Sequence, residues 1–139
     1  MNAPLYTTEI LRLAASLSEP RALEREDGRA ELRSPTCGSR VTTAVQVDES
    51  GRVAALSQTV HACAFGQASS ALVERGAIGC SREEIETALN DLDAWLGGAD
   101  AQPTWPESAA LAPARSRKAR HGAILLPFRT LLAAVEAAR

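Results

Sequence analysis

The chain has 139 residues, 45% of them hydrophobic, 23% charged and only 4% aromatic, and its formal charge is −2. This predicts a single domain over residues 1–139 with a core of Ala, Leu, Val and Ile, and gives no global reason to expect nucleic acid or an anionic membrane as partner. No apolar run approaches the roughly 20 residues of a membrane span, and Met1 to Tyr6 carry no secretory pattern, so a cytoplasmic protein is expected. Three cysteines are an odd count for a disulfide framework, and reduced thiols are the better expectation.

In chain order, Ile10, Leu11, Leu13, Ala14 and Leu17 stand at helical spacing behind a Thr7 or Thr8 cap. Ser18-Glu19-Pro20 should end that helix, because a residue before proline is pushed out of helical geometry. The period then changes. Arg29 to Ser34 reads as an edge strand, and Val41 to Val47 alternates Val41, Thr43, Val45 and Val47 against Thr42, Ala44 and Gln46. Asp48 to Gly51 supplies a hairpin loop, and Val53 to Val60 returns antiparallel. The expected fold is therefore α+β, a three-stranded antiparallel meander with helices packed on one face.

Ala64 to Arg75 is a helix rich in small residues. Ser81 with Glu84 forms a capping box that opens a helix through Ile85, Ala88 and Leu89, followed by a short further turn over Asp91 to Leu96. Ala99 to about Arg117, with prolines at 103, 106 and 113, reads as a long loop. The last helix is expected from about Ala123 to Ala138, with Pro127 tolerated if it lies in the first turn.

Two segments can carry chemistry: Thr36-Cys37-Gly38-Ser39 at the entry to the middle strand, and His61-Ala62-Cys63 running into Ala64 to Ser70. A meander brings these to the same edge of the sheet, so Cys37 and Cys63 can approach each other. The unpaired N–H groups of a helix start favour a thiolate there, and the thiolate is both nucleophile and metal ligand.

On these residues the chain resembles the NifU/IscU-type iron–sulfur cluster assembly scaffolds. The likeness rests on the Cys37-Gly38 pair in the sheet and on the strand–Cys63–helix unit with its Ala68-Ser69-Ser70-Ala71-Leu72-Val73 run. It extends to His121-Gly122 before a terminal helix. The resemblance implies metal ligation by Cys37, Cys63 and His121, with a transient [2Fe–2S] cluster or zinc as the bound species. It implies a scaffold or carrier rather than an enzyme, with a cysteine desulfurase or other iron–sulfur assembly proteins and apo-protein acceptors as partners. Ser39 stands where the family has aspartate in Cys-Gly-Asp, and Gly122 where its third cysteine belongs. The Leu-Pro-Pro-Val-Lys chaperone signature of some members is absent.

A cluster or a structural zinc wants four donors. Here Cys37, Cys63 and His121 leave the fourth place to His61, water or an imported ligand. The alternative is a divergent member that has lost cluster assembly, binding zinc weakly or nothing and acting through protein contacts. A Cys37–Cys63 disulfide is the chemical alternative for the thiols. His61 also reads as a strand-surface residue, His121 as a helix-start residue, and Cys80 as remote and inert. Arg115 to Arg120 is a solvated loop or a dock for an acidic partner surface. No Ser/His/Asp context, phosphate loop or HExxH supports an enzyme.

Overall fold

The protein is described by a computed structural model covering residues 6–35 and 38–138. The first helix, α1 (Thr8–Ala15), buries Ile10 and Leu13, and the Thr7 hydroxyl accepts from the Ile10 N–H at 3.1 Å. It stops before reaching Pro20: the Ser16 hydroxyl donates to the Leu13 carbonyl at 2.7 Å and closes the last turn.

Three strands follow, β1 (Gly28–Arg33), β2 (Arg40–Val47) and β3 (Val53–His61), paired antiparallel in the order β1-β2-β3. The register places Val41 opposite Val60, Thr43 opposite Gln58 and Val45 opposite Leu56. This inner row is the face that the helices cover, as alternation requires. Ala44, expected to face outward, is nevertheless buried. The connection from α1 to β1 lies over the outer face, where Pro20, Arg21 and Ala22 sit beside Ala44 and Thr59, and the Arg21 N–H donates to the Ser57 hydroxyl at 2.8 Å. The β2–β3 loop turns at Gly51, whose φ of 83° is one that glycine adopts without strain.

The small residues of α2 (Ala64–Gly76) are nearly all buried. The capping box forms as expected, the Ser81 hydroxyl accepting from the Glu84 N–H and the Glu84 carboxylate from the Ser81 N–H. The helix it opens, α3 (Arg82–Leu96), is continuous. The separate turn expected over Asp91 to Leu96 is its second half, because Leu92, Trp95 and Leu96 carry the buried stripe onward.

The 99–117 segment is not a bare loop. It holds a short 3-10 helix over Ser108–Ala114 and is anchored by Trp105, whose indole N–H donates to the Leu72 carbonyl at 2.7 Å and whose ring meets Phe128 edge-on at 5.1 Å. The last helix, α4 (Lys118–Ala137), starts before the expected Ala123, so Pro127 lies well inside it. There it removes the N–H that would serve the Ala123 carbonyl. Buried support from α2 makes this tolerable: the Ser69 hydroxyl donates to the neighbouring Ile124 carbonyl at 2.5 Å. Gly66 leaves room for the Ala62 side chain, since a Cβ there would lie 2.6 Å from the Ala62 Cβ, and it faces the Ala123 oxygen, which that Cβ would meet in ordinary contact at 3.5 Å. With α4 against β1 and β2 and α2 against β3, the helices form a layer on one face of the sheet. No helix among the described residues is long and apolar enough to cross a membrane.

Candidate metal and cluster site

Thr36 and Cys37 lie outside the described residues, so the expected meeting of Cys37 with Cys63 and His121 is approached through their neighbours. Between β1 and β2 the Ser34 N–H donates to the Ser39 carbonyl at 2.8 Å and the Gly38 N–H to the Ser34 carbonyl at 3.1 Å, with Gly38 at a φ of 71°. Arg40, three residues after Cys37, pairs with His61, two residues before Cys63. The flanks of the two cysteine motifs therefore share one end of the sheet, as a meander demands.

Cys63 is the N-cap residue of α2, and its side chain makes no capping bond. It is a half-buried free thiol packed against the core. The first turn of α2 holds no acidic residue, so nothing in that turn opposes an anion at the helix start. The Gln67 side-chain amide donates to the Ala62 carbonyl at 3.0 Å and fixes the bend between β3 and α2.

His121 lies in the first turn of α4, not ahead of the helix. Its Nε2 is 2.9 Å from the Ala114 carbonyl and 3.2 Å from the Arg115 carbonyl. Carbonyls only accept, so Nε2 is the donor and carries the proton. In the neutral imidazole Nδ1 then holds the lone pair and is the atom able to ligate a metal. Gly66, three residues after Cys63, faces the carbonyl of Ala123, two residues after His121. The starts of α2 and α4 thus meet at the end of the sheet that carries the cysteine motifs.

The other sequence candidates separate cleanly. His61 is exposed on the outer face opposite Arg40, away from the layer containing α2 and α4. Ser39 is buried. Cys80 is remote: its carbonyl accepts from the Val53 N–H at 3.0 Å, at the opposite end of β3. Its thiol donates to the Gly76 carbonyl at 3.3 Å, and burial, then the Glu84 charge, push its pKa up. Among the described residues, no three His, Cys, Asp or Glu side chains are grouped to hold a metal.

Two features escaped the sequence reading. Arg115 is a staple rather than a solvated or docking residue: its Nε donates to the Trp95 carbonyl at 2.9 Å, its Nη2 to the Ala99 carbonyl at 2.8 Å, and its guanidinium lies 4.9 Å from the Trp95 ring centre. The register also aligns Arg33, Arg40 and His61 across all three strands. A row of basic groups directly opposite one another costs stability unless an anion faces it. Counting back from the hairpin at Gly51 misses the Arg40–His61 pair by one residue, because the register shifts between Gln46 and Val47.

No family model matches the chain, and no curated protein does. Among solved structures it is similar to the N-terminal part of a NifU-like nitrogen-fixation protein from Brucella abortus, with a TM-score of 0.87 and 29% identity over 96% of this chain and 94% of that one. The chain has the NifU/IscU-type fold. The same NifU/IscU-type fold recurs in a proposed iron–sulfur cluster assembly scaffold protein for the SUF system of Fervidobacterium islandicum AW-1, at a TM-score of 0.81 and 20% identity over 94% of this chain and 96% of that one. A hypothetical protein solved at 2.3 Å shares it too, at a TM-score of 0.78 and 22% identity over 91% and 96%. The α+β meander with its helical layer is thus the architecture that this chain shares with these neighbours.

Proposed function

We propose that this NifU/IscU-type chain is a non-enzymatic scaffold or carrier for iron–sulfur clusters, with Cys37, Cys63 and His121 as its metal-binding residues. One observation carries the reading: the flanks of Cys37, the Cys63 cap of α2 and the first turn of α4 share one end of the sheet. Two thiolates and one imidazole nitrogen suit an iron–sulfur cluster or zinc better than a hard cation. They fall one donor short, so the cluster is held transiently, as cargo. The scaffold described for the SUF system and the NifU-like neighbour support this assignment. The partners are a cysteine desulfurase or other assembly proteins that deliver sulfur, and apo-proteins that accept the cluster.

The experiment is anaerobic reconstitution with iron and sulfide, followed by visible absorption and bound iron per chain, on wild type, Cys37→Ser, Cys63→Ser and Cys80→Ser. Loss of cluster in the first two variants and retention in Cys80→Ser is the expected result. Absence of any cluster under every condition, with zinc or no metal after purification without chelator, would instead establish the second reading. That reading, a member working through zinc or protein contacts alone, is favoured by the missing carboxylate at Ser39 and the missing thiol at Gly122.

A further inference from the structure

At the end of the molecule away from the cysteine motifs, where the Cys80 carbonyl accepts from the Val53 N–H, α3 and the 99–117 segment enclose a groove of about 400 Å³. One wall is a line of exposed side chains, Glu83, Thr87 and Asp91, four residues apart along α3. A rise of about 1.5 Å per residue sets the two carboxylates about 12 Å apart along the helix axis. Ala88 lies between them, and Trp105, Pro106 and Cys80 make much of the remaining lining apolar. No Lys or Arg lines the groove among the described residues, and residues 83–107 contain seven Asp or Glu and no Lys or Arg. Glu84 is committed to Arg52 and to the Ser81 N–H. Glu83 has only a loose ion pair, 3.9 Å from Arg82, and Asp91 has none among the described residues. The aromatic wall is fixed in place: the Trp105 indole N–H is held by the Leu72 carbonyl, and a Cβ on Gly76 would fall 2.5 Å from the ring. The groove is therefore formed before anything enters it, which lowers the ordering cost of binding.

We propose that this groove docks an extended segment of a partner protein that carries a basic, an apolar and a second basic residue at alternate positions. In an extended chain the side chains of residues i, i+2 and i+4 share one face and span about 13 Å, at about 3.3 Å per residue. That matches the roughly 12 Å between Glu83 and Asp91. The two cations meet the two carboxylates that have no firm partner, and the central side chain lies on Ala88 and Trp105. Carboxylates alone attract any cation; the apolar stretch between them and the rigid aromatic wall select this pattern. Docking here needs no metal and leaves the Cys63 end of the sheet free, so the inference stands apart from the scaffold reading.

The test titrates the full chain, at about 20 mM salt so that exposed charges are little screened, with the peptide acetyl-Lys-Ser-Leu-Ser-Lys-amide. Three comparison peptides accompany it: the scrambled acetyl-Lys-Lys-Leu-Ser-Ser-amide, acetyl-Lys-Ser-Ser-Ser-Lys-amide, and the charge-reversed acetyl-Glu-Ser-Leu-Ser-Glu-amide. Amide shifts of Ala88 and Thr104 report binding, and slower alkylation of Cys80 reports that the groove is covered. The patterned peptide should shift both amides and protect Cys80. The scrambled peptide should bind about threefold more weakly, the effect of one exposed ion pair, and loss of the leucine should cost about fivefold. The charge-reversed peptide should not bind. Glu83→Lys and Asp91→Lys should each weaken the patterned peptide about fivefold, whereas Asp93→Lys, which changes the net charge equally outside the groove, should change it less than about twofold. Equal binding of the patterned and scrambled peptides, shifts that leave Ala88 and Thr104 unmoved, or no binding by any peptide would overturn the proposal. Equal losses in Asp91→Lys and Asp93→Lys would overturn it too, and would assign the attraction to net charge alone.

Discussion

Arg115 links the stability of the 99–117 segment to the chemistry of His121, and Arg115→Ala should expose that link. The substitution removes two charged hydrogen bonds, to the Trp95 and Ala99 carbonyls at 2.9 and 2.8 Å, and a cation–π contact at 4.9 Å. A hydrogen bond from a charged donor is worth about 1.5–3 kcal/mol, but this side chain is half-exposed and water can replace it at both carbonyls, which leaves about 1 kcal/mol each. With about 0.5–1 kcal/mol from the ring contact, the expected loss is about 2–3 kcal/mol, or roughly 10 °C in Tm for a domain of this size. The same turn presents the Ala114 and Arg115 carbonyls to His121 Nε2. Loosening it should let the imidazole exchange tautomers, and loss of such outer partners typically weakens metal binding by about 10- to 100-fold. Circular dichroism gives Tm, nitrogen–proton NMR correlations of the imidazole give the tautomer, and chelator competition gives zinc affinity. Arg115→Lys should fall between, because one ammonium cannot reproduce the planar fork that reaches two carbonyls. An Arg115→Ala protein with the Nε2–H tautomer intact, unchanged zinc affinity and a Tm within about 2 °C of wild type would refute the reasoning.

Gly28→Ala should destabilise by about 3 kcal/mol, since a Cβ there would overlap the Ala134 carbonyl oxygen and lie 2.8 Å from the Ala138 nitrogen, forcing α4 off β1; denaturant unfolding checks it, and a wild-type midpoint would contradict the packing. Alkylation of single-cysteine variants should run several times slower at Cys80 than at Cys63, because the Cys80 thiol is pushed up by burial and donates to a carbonyl; equal rates measured by mass spectrometry would argue against it. Asp48, Asp27 and Glu84 are held below the ordinary carboxylate range, chiefly by the backbone N–H groups of Arg52, Val47 and Ser81 respectively. Their native pKa values are lowered, so the unfolded chain binds more protons. Their contribution is complete above about pH 5 and is lost as pH falls through the lowered native values. Asp48→Asn should therefore flatten the acid limb of the stability–pH curve below about pH 4, and an unchanged slope would count against that loop's role.

What the sequence determined by itself was written in neighbouring residues. Thr7 before an amphipathic run, Ser81 three residues ahead of Glu84, and the alternation from Val41 to Val47 each specify their own local hydrogen bonds, and each formed as expected. The placement of the Cys37 and Cys63 flanks at one sheet end was legible for the same reason, since short connections in a meander leave few alternatives. What only the tertiary structure decided depends on partners distant in the chain. The 99–117 segment has prolines and no sustained period, and Trp105 on Leu72 and Arg115 on Trp95 give it shape. The start of α4 at Lys118 escaped notice because Pro127 argued for a shorter helix; the buried Ser69 hydroxyl that bonds the Ile124 carbonyl beside the interrupted turn lies on α2, more than fifty positions away. Ala44 is buried by the α1–β1 connection crossing the outer face, and no alternation rule within one strand contains that segment. His121 shows the division in one residue: its type marks a candidate ligand in the sequence, while the fold alone turns the carbonyls of Ala114 and Arg115 toward its Nε2.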